Sequence, residues 1–107
     1  MGINQRLART EDMTDRIPTW DEFTGPRTGV VELPNRIFWS GVPAFDVENA
    51  PRRLTLYTTL IGDGQRADLA RWINRDLLVR DWPKIRMLTA QVLVRAWEGL
   101  LPELAAA

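Results

Sequence analysis

Few groups in this chain could carry out a reaction: one tyrosine, Tyr57, one serine, Ser40, several threonines, and carboxylates that come mainly as neighbours. General acid and base work needs two titratable groups set across a substrate, and adjacent pairs such as Glu11-Asp12 and Asp21-Glu22 splay apart instead. Glu11, Asp12 and Asp15 offer oxygen ligands for a divalent ion, but nothing there resembles a calcium loop, so neither a metal nor a cofactor is expected. The chain has no histidine and no cysteine. That excludes disulfides, thiolate nucleophiles, structural zinc and the usual base near neutral pH. Gly62-Asp63-Gly64 lacks the preceding strand and the Lys-Ser/Thr pair of a phosphate loop, and reads as a helix-ending turn. The expectation is a protein that is not an enzyme; a small histidine-free ribonuclease working through Arg and Glu is the third-ranked alternative.

The elements that would position these groups are mostly helical. Asn49 is a good N-cap and Pro51 fits a first turn, where its missing N–H is not needed. Leu54, Tyr57, Leu60 and Ile61 then recur at helical spacing until Gly62 offers a left-handed stop. A second short helix follows over 65–73, with Leu69, Trp72 and Ile73 facing one way. Asn74 can either end that helix in a left-handed conformation or cap a third, Arg75 to about Trp82, which Pro83 should end. Residues 84–88 read as irregular, and Thr89 can cap a last helix running to about Leu101, whose apolar face is Leu93, Ala96, Trp97, Leu100 and Leu101.

Before these helices, Thr19 and Glu22 match a capping box around a single turn that carries Trp20 and Phe23. Val30 to Leu33 is a short strand, and Pro34-Asn35 turns the chain into Arg36–Ser40, in a regular hairpin or equally in a looser pairing; Gly41–Glu48 is an extended connection. The expected fold is therefore mostly α: about four short helices, a minor β element at about 30–40, and a loose N-terminal arm. Its organisation is an arm over 1–17, one helical domain over 18–104 and a frayed tail over 105–107.

The 107 residues carry 14 basic and 14 acidic side chains, and all but one of the basic ones are arginine. Residues 1–50 hold five Arg against eight acids, and residues 51–107 nine basic against six acidic, so an acidic half joins a cationic one. No apolar run is long enough to span a membrane and no signal-peptide apolar region opens the chain, which gives a cytoplasmic expectation.

Three short helices with outward arginines also suggest a helix-turn-helix, with Ala70 as its small residue and Asn74 at the turn in an unusual backbone conformation. The position that should be buried beyond that turn is Arg80, where the register fails. Arg71, Arg75, Arg80 and Arg86 are the phosphate contacts of this alternative, opposed by the interleaved Asp68, Asp76 and Asp81.

Val31-Glu32-Leu33-Pro34, Phe38-Trp39-Ser40-Gly41, Leu56-Tyr57, Gly62, Leu77-Leu78, Trp82-Pro83 and Arg95-Ala96-Trp97-Glu98 together resemble a set of small actinobacterial proteins. These are associated with loci of nucleotidyltransferase-type toxins or with regulators. The resemblance spans about residues 18–104 and implies an antitoxin-like or regulatory partner, without bringing any functional residue with it. The leading expectation is thus a protein-interaction module that binds another protein, a toxin or a regulator. Its contacts would be Ile3, Leu7, Met13, Trp20, Phe23, Arg52 and Arg53. Homodimerisation is the default for self-association; DNA-binding regulation is the alternative.

Overall fold

In a computed structural model, which describes residues 14–37 and 44–106, the chain folds around helix α1, Ala50–Asp63. The Asn49 side chain accepts from the Arg52 N–H at 3.0 Å, so the predicted cap is in place. Leu56, Tyr57, Leu60 and Ile61 form its fully buried face. The predicted stop at Gly62 is corrected: Gly62 stays helical, and the chain leaves the helix at Gly64, whose N–H bonds to Leu60 O at 2.7 Å. No left-handed residue is needed, because Gly64 turns into an extended conformation.

Helix α2, Arg66–Trp72, starts with the Asp68 carboxylate accepting from the Gln65 N–H at 2.9 Å. Asn74 then caps helix α3, its Oδ1 accepting from the Leu77 N–H at 3.1 Å. Its backbone is extended rather than left-handed, contrary to the helix-turn-helix expectation.

Helix α3 runs from Arg75 to Leu88, straight through Pro83, which corrects both the predicted end at Trp82 and the irregular 84–88. An interior proline removes one helical bond and costs about 3 kcal/mol. Leu78, Trp82 and Ile85 follow one another at spacings of four and three, and all are buried. Stopping at Trp82 would strip Ile85 of its place in that row, and the apolar face therefore outweighs the break. Thr89 does not cap the last helix; its hydroxyl donates to Ile85 O at 2.7 Å and closes α3 instead. Helix α4, Gln91–Leu100, buries Val94 and Trp97, with Leu101 just beyond it. The buried face is thus rotated from the predicted one, and Leu100 is left 48% exposed.

Two strands, β1 (Val30–Glu32) and β2 (Ala44–Asp46), pair antiparallel with Val31 opposite Phe45. The second strand lies in the predicted extended connection rather than at 36–40. Pro34 O accepts from the Ile37 N–H at 3.0 Å, so residues 34–37 close a turn that drops Ile37 into the core. Residues 38–40 lie outside the described residues. Gly29, with φ of 89°, is the one positive-φ residue among those described, and its O accepts from the Val47 N–H.

At the N-terminal side, the arm predicted over 1–17 is corrected for its last residues. Ile17 is buried, and Arg16 donates to Gly64 O and Ile61 O at 2.9 and 3.0 Å, capping the end of α1. Past α4, a 3-10 turn over Pro102–Leu104 buries Leu104, and Ala105 and Ala106 are exposed. Trp82, Trp97, Phe23 and Trp20 form a line of aromatic contacts through the core, with ring centroids 6.1, 6.3 and 5.8 Å apart. No helix among the described residues is long and apolar enough to cross a membrane.

Candidate protein interface

Arginine does two jobs in this chain, and separating them locates the free surface. Glu22, Asp68 and Asp81 each take a two-point grip from an arginine far away in sequence: Arg66, Arg36 and Arg53 respectively. Such planar pairing is what guanidinium offers and ammonium does not. The Glu22 carboxylate also accepts from the Thr19 N–H at 2.6 Å, completing the predicted capping box. Held first by Arg66 and then by Thr19, its pKa is lowered to about 2. The ordinary value of 4.5 applies once the chain unfolds, so this grip stabilises the fold fully above pH 4.5 and fades as pH falls towards 2. We expect Glu22→Gln to flatten that acid limb in urea titrations run across this pH window; an unchanged limb would show the grip to be irrelevant.

Arg53 is only 6% exposed, held to Asp81 and to Val47 O at 2.8 Å, so it is removed from the predicted contact set. Phe23 is removed too, being packed between Trp20 and Trp97. Arg52 is exposed, but its guanidinium lies 4.7 Å over the Phe45 ring and donates to Ala44 O, which braces β2. Ile3, Leu7 and Met13 lie outside the described residues.

Three of the four arginines of the nucleic-acid alternative lie against other side chains of the chain. Arg71 lies over its neighbour Trp72, Arg86 donates to Glu98 at 3.0 Å, and Arg75 shares a cavity with Asp76 and Glu103. Arg80 is exposed where a helix-turn-helix would bury its residue. The Tyr57 hydroxyl accepts from the Asn74 N–H, and burial pushes its pKa up to about 12. Among the described residues no cluster of acids could hold a metal ion; Glu11 and Asp12 lie outside them.

Large apolar side chains are exposed at the end of α3 and along α4. Met87 and Leu88, at the end of α3, are 82% and 66% exposed. Val92 and Leu100 on α4 are each 48% exposed. Val92, Ala96 and Leu100 stand at i, i+4 and i+8, one row on the helix surface, with the half-buried Leu93 beside it. The row ends at a cavity of ≈ 290 Å³ walled by Leu100, Leu101, Ile17, Pro18 and Trp20. Among the described residues, Trp20 is therefore the one predicted contact residue that lines this cavity. It also walls a second cavity with Arg75 and Glu103. There its buried Nε1–H lies near the Glu103 carboxylate but outside hydrogen-bond geometry; the indole N–H, then Glu103's own amide, and last Arg75 hold that carboxyl below the usual range.

The sequence reading missed Met87 and Leu88 because it ended α3 at Pro83. The signal was present: Leu78, Trp82 and Ile85 continue the helical period across the proline. Set against models of known families, curated proteins and solved structures, the chain matches none.

Proposed function

We propose that the chain is a non-catalytic protein-interaction module, the antitoxin-like or regulatory partner of another protein, and that the α3–α4 apolar surface is its contact. One observation carries this reading: Met87, Leu88, Val92 and Leu100 stay exposed along one helix row and the corner that leads into it. Leaving a fully exposed side chain of this kind in water forfeits roughly 1.5–3 kcal/mol relative to burial, about half of that for Val92 and Leu100, and grouped exposure marks interaction sites. Scattered singly they would need no explanation, as for Val30 on the far sheet.

The test is site-specific photo-crosslinking in the host cell. A photoreactive residue at Met87 should yield one discrete protein adduct that the same residue at Thr55, exposed on α1, does not. Identical adduct patterns at both positions, or none at Met87, would sink the proposal.

A further inference from the structure

Resting on that reading, we infer that the partner presents an amphipathic helix whose polar flank is acidic where it meets the Met87 end of the stripe. The shape argument comes first. Val92 to Leu100 spans about 12 Å along α4, roughly two helical turns, and the stripe closes in the cavity beside Ile17, Pro18 and Trp20. A row with a socket at one end fits a helix that lays anchors at i, i+4 and i+7 into a groove. An extended strand would find no free backbone edge to pair with along the α4 surface.

Charge fixes the flank. Between residues 82 and 97 the chain has no acid, while Lys84, Arg86 and Arg95 are exposed, with Arg80 one turn before them. Arg86 is engaged by Glu98, but Arg80, Lys84 and Arg95 make no ion pair with any described residue. Lys84 stands one turn before Met87 and Leu88, with Arg80 a further turn back, and Arg95 stands one turn after Val92; the one acid that shares a cavity with Lys84 is Asp81, already held by Arg53. At the opposite end the cavity is lined by Asp15 and by Arg66, which Glu22 already holds, so the cations without an ion pair lie toward the Met87 end. A second copy of the chain is a poor occupant. A two-fold crossing of α4 centred on Ala96 would bring each Arg95 close to its counterpart, at a cost in like-charge repulsion.

The test uses the full chain and three synthetic helical peptides that share one apolar face and carry Glu, Gln or Lys at the flanking positions. Fluorescence anisotropy should give the Glu peptide an affinity about tenfold above the Gln peptide, with the gap shrinking at high salt. In the Lys84→Glu/Arg95→Glu variant, whose two changes are both at exposed positions, the preference should pass to the Lys peptide. Equal affinities for all three peptides would overturn the inference while leaving intact the crosslinking result at Met87. A photoreactive residue at Val92 that, in the purified chain, joins two copies or closes on the same chain would also overturn it, since the stripe would then already have an occupant.

Discussion

Removing the carboxylate of Asp81 should cost about 3–5 kcal/mol of folding free energy, the usual range for breaking a buried ion pair by deleting one partner. The Arg53 and Asp81 side chains are only 7% and 12% exposed, and two bonds of 2.6 and 3.0 Å join them. Arg53 cannot shed its charge to relieve the loss, because guanidinium stays protonated under all ordinary conditions, and pairing with Asp81 raises its pKa further. In Asp81→Ala the cation would remain buried between α1 and α3 with only Val47 O as acceptor. Urea denaturation should show the midpoint falling with the slope unchanged. The double variant Arg53→Met/Asp81→Leu removes both charges and should recover most of the loss, short of about 1 kcal/mol for the donor that Val47 O gives up. A single variant within 1 kcal/mol of the parent would show that water already screens this pair, contrary to its burial.

The same pair explains where sequence reasoning stopped. Helix starts were legible because their signals are local: Asn49 and Asn74 cap the amides three residues on, and Thr19 with Glu22 forms its box within one turn. Helix ends were not, because tertiary packing decides them. Pro83 is a strong local stop, yet Ile85 is needed in the core beneath it. Gly62 permits a stop, yet the chain continues to Asp63 and is closed by Gly64 and by Arg16, which reaches α1 from 45 residues away. Arginines were the hardest to assign. Arg52 and Arg53 are adjacent in sequence, and only the helix register sends the first to the surface and the second to Asp81. The apolar stripe was half visible: Ala96 and Leu100 were expected on an apolar face of the last helix. What was missing is that Val94, Trp97 and Leu101 take the core side, leaving Ala96 and Leu100 on its outer margin.

Gly25→Ala should be the most damaging change of a single small side chain, with an expected loss of about 3–5 kcal/mol from overpacking and lost hydrogen bonds together. Residues 24 and 25 form a strap across the α2–α3 turn. The Thr24 N–H donates to Ala70 O at 2.8 Å, the Gly25 N–H to Ile73 O at 3.0 Å, and the Asn74 side chain to Gly25 O at 3.1 Å. A methyl group on Gly25 would lie 2.4 Å from the backbone carbons of Trp72 and Ile73. Those atoms belong to the end of α2 and cannot swing aside as a side-chain tip can, so the strap itself must lift and release its bonds. Phe23, two residues earlier, would be drawn off Trp97 with it. Gly62→Ala provides the control. That glycine is exposed within α1, a Cβ there meets nothing within 4 Å, and the substitution should stabilise by about 0.5–1 kcal/mol through the helix backbone alone. Thermal unfolding of the two variants should therefore move in opposite directions. If Gly25→Ala melted with the parent, the close passage of the strap over α2, and with it the seat of Trp20 beside the cavity, would be wrong.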